Sequence, residues 1–521
     1  MRSAKKTYEI DMLHGAILPK LLRFAVPLTL STMLQLLFNA ADVVVVGRWA
    51  GDNSLAAVGS NTSLIALLTN MFLGLSIGAN ILAARHFGAH EDEELSKTVH
   101  TSILLSLYSG VFLTVIGILG ARTILIWMQC PANVLDLATL YLRIYFAGMT
   151  ATMLYNFGAA LLRASGDTQR PLYYLFASGV VNVILNLVFV IYFHMDVAGV
   201  ALATVISQCI SAALVVRCLM KETGPLRLDF RQLKIYPIKL KQIMQVGIPA
   251  GIQGMLFSLA NVTVQSSVNS FGEIIMAGSS AAISIEQFIY SNINAFYQAN
   301  VAFTSQNYGA GDYRRIKKIA MISVVTGVVT TELLSVLAVY FGPQLLGIYS
   351  PSAEVVAAGM VRLRWIALFY GLDAIMDVIV GSLRGVGYNI LPMLVTLMGA
   401  CASRLIWLST VFRLPAYHRI EMVYIVYPLS WALTATTHLF LRFPKGGPGA
   451  SCPRSGAGRP YGRKPGGSRL LSTFAKQAKK LRKPVGFRSF FCLDSKEHRL
   501  IPSAAPLKRR PRRQNNPLCR C

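Results

Sequence analysis

Residues 30–51 read LSTMLQLLFNAADVVVVGRWAG, an apolar run long enough for most of a bilayer crossing, with Asp42 inside it. Asn39 and Gln35 lie three and seven positions earlier, close to the same helical face. A carboxylate in hydrocarbon is costly, so a retained one faces a protein interior or a wet cavity. Two readings of Asp42 stand: a helix-end acid beside the outer headgroups, or an ion-coupling carboxylate in a transporter.

Composition extends the reading from one segment to the chain. Of 521 residues, 54% are hydrophobic and 14% charged, and the mean hydropathy is +0.51. Those values belong to a polytopic membrane protein. Of the formal charge of +27, most falls in the stretch 442–521, where Asp494 and Glu497 are the only acids. The basic balance is therefore no argument for nucleic acid, which is not an expected partner. Eight cysteines are dispersed without a C-x-x-C pair, so neither a zinc site nor a disulfide framework is expected. The N-terminus is basic but lacks the apolar core and cleavage site of a signal peptide.

Twelve apolar segments follow one another, at 17–46, 54–84, 98–128, 137–162, 171–194, 197–220, 243–270, 275–304, 316–341, 355–383, 389–412 and 420–441. In lipid, backbone polar groups leave little alternative to helix. The expected fold is thus all-α, with twelve transmembrane helices. Loop charge orients them. Arg217, Lys221, Arg227, Arg231, Lys234, Lys239 and Lys241 would lie inside, followed by Arg314, Arg315, Lys317 and Lys318. Arg48, Arg122, Arg362, Arg364, Arg413 and Arg419 would lie outside, with both termini cytoplasmic.

The chain repeats itself. Ala25-Val26-Pro27 recurs as Gly247-Ile248-Pro249, and Asn39 as Asn261. Gly88-Ala89 recurs as Gly309-Ala310, and Leu162-Arg163, Gly166 and Pro171 recur as Leu383-Arg384, Gly387 and Pro392. The nearly constant offset predicts a duplication. Six helices per unit is an even number, so the units would be related by a pseudo-twofold along the membrane normal, with a cavity between them. The expected divisions are an N-terminal segment at 1–16, lobes at 17–222 and 243–441, a linker at 223–242, and a basic tail at 442–521. That tail reads as disordered, with a short basic amphipathic helix at 469–483, and its abrupt change of composition suggests a shifted reading frame.

No phosphate-binding loop, H-E-x-x-H or G-x-S-x-G is present, so an ATP-driven pump or an enzyme lacks its motifs. A secondary transporter needs only an ionisable group and a gradient. Asn182 and Asn186, four apart in the fifth segment, and Thr204 in the sixth would surround Asp42, as coupling-site ligands or as interhelical hydrogen-bonding groups. Asp373 and Asp377 share a helical face in the tenth, as a second ion site or a polar contact. Glu286 is read as substrate contact, gate or packing group; Glu332 and Arg404 are read as satisfying local partners. Gln35, Asn39, Tyr155, Asn261 and Tyr290 are candidate cavity residues, with Met33, Phe38, Met255, Phe257, Phe296 and Met376 as adaptable apolar surface for flat cations.

The duplicated halves, the F-N-A-A-D-x-x-x-x-G run at 38–47, LRASGDTQRP at 162–171, SQNYGAGDYRRIKK from Ser305 and LRGVGYNILP from Leu383 together resemble the multidrug and toxic compound extrusion (MATE) family over residues 15–441. The likeness implies export of small organic, often cationic, compounds in exchange for protons or sodium, from the bacterial inner membrane. It implies no other cofactor, and a chain working as a monomer. Asp42 matches the first-helix acid of the damage-inducible branch, with a possible sodium ion beside it. Asn182 and Thr204 match further members of that cluster, whereas Asn186 stands where the branch often has aspartate. The seventh segment lacks the glutamate of other branches, and Asp373 or Asp377 matches their tenth-helix acid. The rival expectation is a lipid-linked precursor flippase or polysaccharide exporter of similar architecture; few basic residues at the centre argue for drug export.

Overall fold

Helix follows helix without a strand among the described residues, which in this computed structural model are 8–128 and 130–440. The basic tail and its amphipathic stretch at 469–483 lie outside them.

The first half comprises Ile17–Trp49, Asp52–Ala89, Asp92–Trp127, the pair Ala132–Ala147 and Met149–Ala164, Gln169–Leu187 running into a π-helical turn at Val188–Tyr192, and Asp196–Lys221. The fourth pass bends by 45° between its two helices. His194 and Asp196 adopt positive φ to make the tight turn between fifth and sixth passes. The second half begins at Pro237 rather than at 243, with Pro237–Asn269, Glu273–Gly309 and Tyr313–Tyr340. Its tenth pass joins Ala353–Ile366 to Tyr370–Gly385 through a 3-10 turn. The eleventh joins Ile390–Thr396 to Ser403–Ser409 through a π segment, and the twelfth comprises Ile420–Tyr424 and Val426–Phe440.

Among the described residues, nine helices are long and apolar enough to cross a membrane, and the bent fourth pair makes a tenth span. The eighth pass fails that test because its sequence is rich in Ser, Asn and Gln. Protein, not lipid, surrounds much of it: Ser291, Asn292, Asn300, Thr304, Gln306 and Asn307 are buried. The ninth pass does the opposite, exposing Val325, Val329, Leu333 and Val336 as an apolar stripe at helical spacing.

Each half has its own core, one around Val46, Ala57, Leu142, Phe146 and Val200, the other around Val264, Ala282, Ile366, Ala374 and Tyr424. Between halves, glycines permit backbone contact. A Cβ on Gly74 would lie 2.2 Å from the Gly251 nitrogen, and one on Gly78 would lie 2.5 Å from the Ile243 carbonyl oxygen. Closer to the ends of the second and eighth helices, Gly88 abuts the Gln306 carbonyl and Gly309 abuts the Arg85 carbonyl. Arg85 and Gln306 carry the same offset as the two glycines, so the repeat appears in space as a pseudo-twofold contact.

This end of the molecule is sealed further by a strap ahead of the first helix. Ile10 and Met12 are buried. The Met12 carbonyl accepts from Asn307 Nδ2 at 3.1 Å and Arg315 Nε at 3.3 Å, in the second half. In the first half, the Ile10 backbone occupies the space that Gly166 leaves by lacking a Cβ. Towards the other end, the halves meet at Asn70 Nδ2, which donates to Ser258 Oγ at 3.1 Å.

Candidate functional site

Asp42 lies past the middle of the first helix, and its side chain is buried. The one-turn spacing of the fifth helix carries Asn182 and Asn186 to the same place, and the sixth supplies Thr204. Asn186 Nδ2 donates to Asp42 Oδ1 and, at 3.4 Å, to Asn182 Oδ1. Thr204 Oγ1 lies 3.4 Å from Asp42 Oδ2 and 3.4 Å from Asn182 Nδ2. The four residues thus form one closed cluster from three helices. Among the described residues no lysine, arginine or histidine pairs with Asp42, and Asn186 Oδ1 is buried without a hydrogen-bond partner. Only neutral donors meet the carboxylate, so its negative charge has no counter-charge within the cluster. A bound proton or a small cation would correct that imbalance.

Tyr141 and Tyr145, one helical turn apart in the fourth pass, stack with ring centroids 6.0 Å apart and lie within electrostatic reach of Asp42. Sequence reasoning missed both. The Y-x-x-x-Y spacing was visible, but nothing in it pointed towards the first helix.

In the second half, Asp373 is buried, Asp377 is half-buried, and the Tyr290 hydroxyl is 3.5 Å from Asp377 Oδ2. Glu286 is held apart from them. Arg362 grips it with two bonds, Nε to Oε1 at 2.9 Å and Nη2 to Oε2 at 2.8 Å, and Tyr370 lies 3.4 Å away. Arg362, expected in an outer loop, is a buried helical residue; the guanidinium enters the core because Glu286 neutralises it there. Arg404 and Glu332 satisfy local partners. Arg404 lies 4.2 Å over the Tyr427 ring and donates to Ser430 and Asn261, while Glu332 accepts from the Gly371 N–H at 2.7 Å, where the tenth pass restarts.

The cavity candidates divide. Gln35, Asn39, Asn261 and Tyr290 are exposed. Tyr155 is buried, its hydroxyl 3.3 Å from the Pro171 carbonyl, and Phe296 and Met376 are core residues.

A profile of the MatE family matches residues 27–188 and again 249–407, more than half of the chain, and the two matches open at the repeated prolines. The chain belongs to the MatE family. Its members are transporters, not enzymes, so this MatE chain is a multi-pass membrane protein. It is 29% identical over 424 residues to the probable multidrug resistance protein YoeA of Bacillus subtilis, covering 79% of this chain and 90% of that one. It is 22% identical to a FAD transporter of Shewanella oneidensis, over 67% of this chain and 76% of that one. Among solved structures, an outward-facing conformation of a multidrug resistance MATE family transporter superposes with a TM-score of 0.78 at 22% identity, covering 84% of this chain and 98% of that one. That likeness establishes the fold, twelve helices in two lobes.

Proposed function

We propose that this MatE chain is a secondary active efflux antiporter of the bacterial inner membrane, exporting small organic, often cationic, compounds in exchange for protons or sodium. The observation that carries the reading is the Asp42 cluster: one buried carboxylate, unpaired with any cation among the described residues, held by the Asn186 amide and the Thr204 hydroxyl with Asn182 behind them. The likeness to YoeA, a probable multidrug resistance protein, supports drugs as the cargo.

The end sealed by the strap and the glycine contacts is assigned to the cytoplasm. From the outside, a proton or sodium ion reaches Asp42 and cancels its charge. Asn186 and Thr204 then lose the anion to which they donate, and the first helix repacks against the fifth and sixth. Pro27, which leaves a carbonyl of the preceding turn without its helical donor, gives that helix a place to bend. Repacking shifts the lobes between two arrangements, each open to one side. Asp373 and Asp377 beside Tyr290 form a second acidic site in the other lobe.

Transport into sealed vesicles, with proton and sodium gradients imposed separately, tests the assignment. Asp42→Asn keeps the side-chain shape but cannot ionise, so gradient-driven drug flux is expected to vanish while the protein still inserts and folds. Undiminished coupling in that variant removes Asp42 from the mechanism.

A further inference from the structure

The interface between the lobes holds more positive charge than the sequence reading anticipated. Arg85, Arg163 and Arg384 all reach it. Arg85 is accounted for: it stacks 4.9 Å over Tyr308 and donates to the Gly385 carbonyl. Arg384 donates to the Tyr297 hydroxyl at 2.6 Å and to Gln253 Oε1 at 2.8 Å, leaving its Nε buried without an acceptor. Arg163, the repeat counterpart of Arg384, has no hydrogen-bond acceptor or carboxylate partner among the described residues. It lines a cavity of about 20 Å³ together with Ser76, Asn80, Tyr297 and Gln298. That is room for a single water-sized particle.

The lining is rich in donors and contains no acid. Tyr297 already accepts from Arg384, so its own proton is available to the cavity. Ser76 Oγ donates to the Leu73 carbonyl, and Asn80 Nδ2 and Gln298 Nε2 each have one proton engaged, by the Ala160 carbonyl and Asn294, so Arg163 and Tyr297 are the donors with no other acceptor to serve. A guanidinium at a protein-lined interface within a membrane protein calls for a counter-charge.

We propose that this cavity binds a small anionic group: either a free halide or one carboxylate oxygen of a transported compound. The second case rests on the efflux reading above; the first does not. Arg163 comes from the first lobe and Tyr297 from the second, so the guest is held by both and stabilises the arrangement in which this end is sealed. Separation of the lobes splits the site.

The test reads thermal stability of the purified full-length protein as chloride replaces gluconate at constant sodium and ionic strength. A saturable rise in Tm is expected. Arg163→Gln should abolish it, and Tyr297→Phe, which retains the guanidinium, should weaken halide affinity about tenfold, the cost of one bond to a charged group. Benzoate, added as a soluble carboxylate, and a matched pair of dyes identify the source. If the cargo supplies the anion, benzoate competes with chloride, and Arg163→Gln lowers the flux of rhodamine B, which has a free carboxylate, about tenfold relative to its ester rhodamine 6G. If the guest is a free halide, benzoate has no effect and the flux ratio is unchanged. Absence of any anion-dependent stabilisation in the wild type overturns the proposal, as does stabilisation that persists in Arg163→Gln. Should Arg163→Gln fail to fold, an unaltered halide response in both Arg163→Lys and Tyr297→Phe overturns it equally.

Discussion

Asn186 donates to Asp42 from a position where a second carboxylate would double the local negative charge. An amide supplies a hydrogen bond without a titrating group, so the cluster holds a single carboxylate. Asn186→Asp should therefore strengthen cation attraction, and sodium-dependent stabilisation of the purified protein should become tighter than in wild type. A shift to weaker sodium dependence would count against Asp42 and Asn186 facing a common cation. Glu286 belongs to a different category. Its two bonds from Arg362 make a closed, buried ion pair, and removing one partner leaves the other uncompensated. Glu286→Gln should cost about 3–5 kcal/mol of stability, measured by thermal or denaturant unfolding in detergent.

At the scale of the element, the clearest test lies where the second and seventh helices cross. A Cβ on Gly251 would lie 2.2 Å from the Met71 carbonyl oxygen, a backbone atom that cannot rotate away. Gly251→Val should force these helices apart, destabilise the sealed arrangement by about 1–3 kcal/mol, and increase labelling of cysteines placed at the interface. The helices themselves were legible as apolar runs, because a bilayer demands them. Asn182 and Asn186 were legible as a pair, because one helical turn is a local rule. The Glu286–Arg362 bond was not: its partners are 76 residues apart, and no spacing relates helices that meet only through packing. Tyr155 misled for the same reason. An aromatic residue on an apolar segment looks alike in sequence whether it faces a cleft or, as here, the neighbouring helix.

For the whole molecule, the alternating access proposed above requires the lobes to part where they now touch. Asn70 and Ser258 are hydrogen-bonded across that boundary, within reach of a short thiol-reactive cross-linker between substituted cysteines. In a background lacking the native cysteines, Asn70→Cys with Ser258→Cys should arrest transport when joined by a short bis-methanethiosulfonate and recover it with reductant. Continued transport by the fully bridged protein would mean that the lobes turn over without separating there. The duplication foretold this two-lobed plan, since the family profile itself matches twice. What duplication does not foretell is asymmetry, and the strap formed by residues ahead of Ile17 supplies it.

That strap has a consequence for how the protein is made. Ile10 and Met12 are made before any membrane pass, yet the side chains that receive Met12, Asn307 and Arg315, belong to the eighth and ninth passes. The strap can meet Gly166 once the first lobe is made, but its bonds through Met12 must wait until the second lobe has entered the membrane. Those bonds are a signature of completed assembly, written by residues ahead of the first helix upon the later half.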